Sequence, residues 1–172
     1  RQFATSRNVR RSPLHERLES LGACFGETAG WERANWFLPQ EAKTRGEKAE
    51  YKYSWKRQNW FNYARDEHLA IRNGVGFFDM TSFGKIRVEG RDALDVLQLV
   101  CANDVAVAPG RIVYTQWLNR NGGVEADVTV SRLAEHVFLV VTPTASLVRD
   151  LAWLKRHIPG DAHCVATDVT SG

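Results

Sequence analysis

The run YTQWLNRNGGVEADVTVSR, residues 114–132, constrains the fold more than any other part of the chain. After its turn, Val124, Ala126, Val128 and Val130 alternate with Glu125, Asp127, Thr129 and Ser131, the period of a strand with one buried face. NRNGG supplies the asparagine and glycines that the positive φ of a tight hairpin turn demands. Two antiparallel strands are therefore joined here, with the valine face turned to a core. A lone hairpin is marginal in water, so other elements must cover that face. The acidic face, with Glu125 and Asp127 two residues apart, is where function enters.

The flanking sequence supplies the cover. Strands are expected over 84–89, 112–118, 124–133, 137–142 and 163–168, and helices over 92–101 and 145–157. Helices interleaved with hairpin-connected strands predict an α+β fold, a mixed or antiparallel sheet with helices on one face, close to a split βαβ arrangement. Upstream, Ser12-Pro13 before LHERLESLG predicts a short helix capped by Ser12, with Leu14, Leu18 and Leu21 on one side and Gly22 as its stop. Residues 23–37 read as two short extended pieces, and 38–58, charged and turn-rich, as a surface connection that ends a first segment. Asn59 is expected to cap a second helix, WFNYARDEHLAIRNG, stopped by Gly74. Trp31, Trp36, Trp55 and Trp60 suggest a packed aromatic seam between these two parts.

The chain has 172 residues and an ordinary balance of apolar and charged side chains, enough for one domain with a core and a smaller appendage. Starting at Arg1 and stopping at Gly172 directly after the strand-like HCVATDVTSG, it reads as a piece of something longer. Its longest apolar run, 137–141, is far short of a membrane span, and no leader is recognisable, so neither membrane insertion nor secretion is expected. The net charge of +3 is concentrated at Arg1, Arg7, Arg10 and Arg11, which lack acidic neighbours in sequence. No sustained basic face with stacking aromatics accompanies them, so no nucleic-acid partner is expected. Three distant cysteines, Cys24, Cys101 and Cys164, fit a reducing compartment better than a disulfide framework.

Few side chains form a reactive constellation by spacing alone. Glu125 and Asp127 share a strand face and could exchange protons, although an alternating strand more often presents such a pair to water. Tyr114 and Gln116, on the partner arm, could add a phenol and an amide to what Asp127 faces. The stretch NGVGFFD has two glycines of a dinucleotide fingerprint, but Asp79 stands where the third belongs and no strand precedes it, so that match is rejected. His15, His68, His136, His157 and His163 show no ligand spacing; they read as surface or helix-end residues, and no metal site is expected. Thr81 and Ser82 lack the elbow of a serine hydrolase.

Longer motifs say more. The run GVGFFDMTSFGKIRVEGRDALDVLQLVCANDVAVAPGRIVYTQWLNRNGGVEADVTVSRLAEHVFLVVT resembles the first half of the folate-binding domain of the glycine-cleavage T-protein (aminomethyltransferase) family. It is closer to the version fused behind a flavin domain in sarcosine and dimethylglycine dehydrogenases. RSPLHERLESLGACFGETAGWERANWF and YSWKRQNWFNYARDEHLAIRNGVGFFDMTSFGK resemble the segment those fused enzymes place before the folate domain. The resemblance implies a connecting segment over 1–58 and the first half of a folate domain over 59–172.

It also implies residue roles. Asp127 matches the carboxylate that sits beside the reactive nitrogens of tetrahydrofolate; where T-proteins commonly carry two adjacent aspartates, this chain has Ala126-Asp127. Glu125 then reads as an ordinary polar-face residue. Tyr114 matches a tyrosine near the folate, Phe83 replaces a methionine that packs on the pterin, Val140 aligns with an apolar backbone contact, and Thr142 stands where T-proteins use an asparagine. The acidic and basic residues completing the pocket belong to the family's second half.

For a parent enzyme the resemblance implies a flavin domain, holding FAD elsewhere in the same chain, that oxidises an N-methyl amine. The carbon then passes to tetrahydrofolate, with Asp127 as catalytic acid or base and Phe83 and Val140 as an apolar wall. The piece alone is expected to be inactive. Such enzymes would be cytoplasmic in a bacterium and in the mitochondrial matrix in a eukaryote. The alternatives are a folate-binding module without carbon transfer, or an interdomain scaffold.

Overall fold

In the computed structural model of the chain, residues 4–171 are described; Arg1 and Gly172 lie outside them. Contacts divide the chain into two compact units, one through Ser82 and one from Phe83.

The first unit holds α1 (His15–Ser20), the antiparallel pair β1 (Ala23–Thr28) and β2 (Trp31–Phe37), α2 (Gln40–Thr44) and α3 (Phe61–Asn73). The two extended pieces are thus one hairpin, turned at Ala29 and Gly30, both with positive φ. Ser12 does not cap α1, which starts after Leu14; its Oγ instead accepts the Leu14 N–H at 3.0 Å, one turn earlier. The buried side of α1 is also not the expected leucine stripe. Leu21 is exposed, and His15 is buried with its ring stacked on Phe25 at 4.2 Å. This histidine is a packing residue rather than a surface one.

Charge richness over 38–58 hides a helix and two anchors. Leu38 and Ala42 are buried against Trp36, whose ring stacks on Tyr63 at 5.6 Å and meets the edge of Tyr51 at 6.5 Å. Trp31 is buried and Trp60 packs on the same cluster, whereas Trp55 is fully exposed and takes no part in a seam. Asn59 does not cap α3, which begins after Trp60. Its amide ties down the preceding loop, accepting the Lys52 N–H at 3.1 Å and donating to the Glu50 carbonyl at 2.8 Å. From α3, Glu67 accepts the Phe37 N–H at 2.7 Å. The last bond fastens α3 to the first hairpin, and the first compact unit runs through Ser82.

Arg7, without acidic neighbours in sequence, acquires one in space. Its guanidinium grips the buried Glu32 carboxylate at 2.8 and 2.6 Å, and the Asn8 N–H donates to the same group at 2.6 Å. The hydrogen bond from Arg7 is the main reason the Glu32 carboxyl lies below the ordinary carboxylate range. A depressed folded pKa means that the unfolded chain binds more protons in acid. The contribution is therefore present above the unfolded value and lost as pH falls through the folded one. Glu32→Gln is expected to lower stability by about 2 kcal/mol at neutral pH and to flatten the acid limb of the curve. Urea unfolding midpoints between pH 3 and 7 check both; parallel curves for variant and wild type would contradict the assignment.

The second unit comprises β3 (Gly84–Glu89), α4 (Ala93–Val100), β4 (Ile112–Leu118), β5 (Val124–Ala134), β6 (Val137–Thr142), α5 (Leu147–Arg156) and β7 (Val165–Asp168). Its sheet runs β4-β5-β6-β3-β7, and every neighbouring pair is antiparallel. β6, α5 and β7 form the expected split unit, with β3 inserted between the two strands. The N-terminal turn of α4 approaches so closely that a Cβ on Gly90, at φ +134°, would lie 2.0 Å from the His163 carbonyl oxygen; only glycine fits there.

One sheet face is the core. Leu97 and Val100 of α4 and Trp153 and Leu154 of α5 pack on it, against strand residues such as Val128 and Phe138. The valine face of the hairpin differs from expectation at one point, since Val124 is 64% exposed. A register shift between Trp117 and Leu118 brings Val124 opposite Leu118 beyond the end of the core, so burial starts at Ala126.

Candidate functional site

The opposite face of the sheet carries the candidate site residues. On β5 and β4, Asp127 pairs with Gln116 and Thr129 with Tyr114, so these four side chains share the face turned away from the helices. Tyr114 is 59% exposed. Its phenol is raised above the ordinary value, first by a hydrogen bond to the Asp127 carboxylate, while Gln116 pulls the other way. The acid, phenol and amide expected from the two arms therefore meet.

The row through Thr129 continues across the sheet. Thr129 pairs with Val141 on β6, and Val141 with Lys85 on β3. The surface thus runs from an acid and a phenol, over an apolar stretch, to a cation whose Nζ also donates to the Phe83 carbonyl at 2.7 Å. Phe83, half-buried just before β3, falls on this face by alternation.

Two expected residues do not point here. Val140 is buried, its neighbours across the ladder being Val130 and Ile86 on the core face. Thr142 is also buried, and its hydroxyl donates to Asp150 on α5. Val140 therefore cannot wall the open face with its side chain. Val141, one residue on, holds that position, as does Leu139 one row further along. Sequence reasoning missed Val141 and Lys85, although alternation counted from Asp127 through the antiparallel ladder would have found them. Glu125 is occupied: its Oε1 accepts the Asn119 amide at 2.9 Å, within the turn. Burial pushes the Cys101 thiol up to about 11, which disfavours the reactive thiolate.

A separate hollow of about 540 Å³ lies in the first unit, lined by Phe37, Glu67, Ile71, Phe77, Phe78 and Met80 among others. None of the residues assigned to the pterin borders it. Among the described residues, no helix is long and apolar enough to cross a membrane.

An antiparallel sheet, covered by helices on one side and presenting an acid, a phenol and an amide on the other, has the architecture of the aminomethyltransferase T-protein fold. A solved example, the glycine cleavage system aminomethyltransferase T from Bartonella henselae, superposes with a TM-score of 0.72 at 26% identity, covering 95% of this chain and 39% of that one. Residues 14–172 match the GCVT N-terminal domain, and the chain belongs to that family.

Among curated relatives, 4-methylaminobutanoate oxidase (formaldehyde-forming) of Paenarthrobacter nicotinovorans is 47% identical over 165 residues, 95% of this chain and 19% of its own length. The mitochondrial pyruvate dehydrogenase phosphatase regulatory subunit of Mus musculus is 35% identical over 170 residues, 98% of this chain and 19% of the relative. Mouse mitochondrial sarcosine dehydrogenase is 40% identical over 147 residues, 74% of this chain and 16% of the relative. The chain thus spans less than a fifth of the length of each of these three relatives.

Proposed function

We propose that this chain forms half of a tetrahydrofolate site in an enzyme that oxidatively demethylates an N-methyl amine and passes the carbon to the folate. The observation that carries the reading is the grouping of Asp127, Tyr114 and Gln116 on the uncovered sheet face. Family membership and the named oxidase and sarcosine dehydrogenase relatives support it.

The donor set fits a reduced pterin. Such a ring offers several N–H groups and one carbonyl; a carboxylate accepts from the former, and an amide can accept from the former or donate to the latter. Tetrahydrofolate, when bound, supplies the N5 amine that takes up the carbon. Asp127 would hold a proton at that nitrogen and stabilise positive charge developing there. Tyr114 flanks the carboxylate on the same face, and Val141, with Phe83, limits the access of water. FAD and the amine site belong to another part of the parent.

The similarity to a phosphatase regulatory subunit favours a second reading, a folate-binding module without carbon transfer. The two differ in turnover, not in binding. Calorimetric titration of this chain with 5-formyltetrahydrofolate, with Asp127→Ala alongside, tests their common ground. Binding that weakens about tenfold or more in the variant is expected, as for a charged hydrogen-bond partner lost. Equal affinities would remove Asp127 from the site, and no binding by either, repeated with the full-length protein, would remove the pterin from this part of the domain.

A further inference from the structure

The strand that carries Asp127 is held on one side only where Asp127 sits. β6 pairs with β5 from Thr129 onward, so residues 124–128 have β4 as their only ladder partner. A strand end with a single neighbour frays readily, which would spoil the placing of a proton-handling carboxylate.

On the unpaired side, α5 reaches across. The guanidinium of Arg149 donates through NH2 to the Glu125 carbonyl at 2.7 Å, two residues from Asp127. The same guanidinium donates from Nε to Asp150 Oδ1 at 3.0 Å, and its Nη2 lies 2.9 Å from that oxygen in the ion pair. Asp150 is only 1% exposed, and its other oxygen accepts the hydroxyl of the buried Thr142. A carboxylate so deeply placed is tolerated only when its oxygens are bonded, and the arrangement fixes the guanidinium against the end of α5. A planar fork can serve a carboxylate and a carbonyl at once, whereas an ammonium on a flexible stem cannot do so with the same geometry.

We propose that Arg149 is a positioning residue for Asp127, standing in for the missing ladder partner of β5. The inference rests on the tetrahydrofolate reading for its functional meaning, but its physical part can be tested without folate. The Tyr114 phenol, on the same face one row from Asp127 and raised first by that carboxylate, reports where the carboxylate lies.

The experiment titrates the tyrosine ring signals of the labelled chain by NMR, with Tyr114 assigned through Tyr114→Phe, in wild type, Asp127→Asn, Arg149→Ala and Arg149→Lys. Loss of the clamp is expected to move the Tyr114 pKa down toward its value in Asp127→Asn while leaving Tyr51, in the first unit, unchanged. Arg149→Lys, which keeps the charge beside Asp150 but loses the double grip, should follow Arg149→Ala and decides the matter if the alanine variant does not fold. A wild-type Tyr114 titration in the folded Arg149 variants would overturn the proposal.

A second arm measures 5-formyltetrahydrofolate affinity in a double-mutant cycle. Arg149→Ala should weaken binding about fivefold in the wild-type background and hardly at all in Asp127→Asn, because coupled residues are not additive. Equal losses in both backgrounds would overturn the proposal. Absence of folate binding by the wild type would count against the proposed function alone, with the tyrosine titration still deciding the clamp.

Discussion

Under the proposed function, Asp127→Asn in the full-length protein is expected to slow carbon transfer to tetrahydrofolate by about a hundred- to ten-thousandfold, the range of general acid–base assistance, with folding unchanged. Asp127 is exposed on a strand whose stability comes from the other face, where Ala126, Val128 and Val130 are buried. Asparagine keeps the shape and one acceptor but loses the charge and the capacity to hold a proton. Amine oxidation, carried out elsewhere in such an enzyme, should continue at its normal rate, and the unclaimed carbon should appear as formaldehyde. Measuring amine consumption and methylene-tetrahydrofolate side by side separates the two steps. Undiminished methylene-tetrahydrofolate formation by the variant would remove Asp127 from the chemistry.

Trp117→Ala is expected to destabilise the second unit by about 3–5 kcal/mol, the usual loss for a large aromatic cut from a core. Trp117 is 0% exposed, stacks on Trp153 at 5.4 Å and donates its indole N–H to the Cys101 sulfur at 3.3 Å. It stands opposite Ala126, a small residue that leaves room for the ring, so its removal opens a void that no neighbour on β5 can fill. The exposed Trp55 is the control, for which truncation should stay within about 0.5 kcal/mol. Urea unfolding followed by far-UV dichroism measures both; similar losses at the two positions would contradict the packing described.

The hairpin of β4 and β5 was legible because its alternation and turn chemistry agree, two independent signals for one structure. β6 was legible as a strand but not in its facing. VFLVVT is apolar at every position but the last, and a period of two cannot be phased without a polar marker. For that reason the sequence does not show that the side chains of Val140 and Thr142 belong to the core, which leaves Val140 only a backbone contact to offer the open face, or that Val141 faces it. α2 carries too few residues to show a helical period, and its charges mask the buried Ala42. Asn59 has the residue type of a helix cap, yet bonding to a loop satisfied it as well. The pairs Arg7–Glu32 and Arg149–Glu125 join residues distant in sequence, which no local pattern announces.

The most direct test of the central claim is where folate binds. In an NMR titration of the isotope-labelled chain with 5-formyltetrahydrofolate, the Gln116 side-chain amide, the Tyr114 ring and the Val141 methyls should shift together, while the buried Val128 and Leu97 methyls move little. Shifts concentrated instead on Ile71 and Met80, around the hollow of the first unit, would contradict a pterin site on the open face of the sheet.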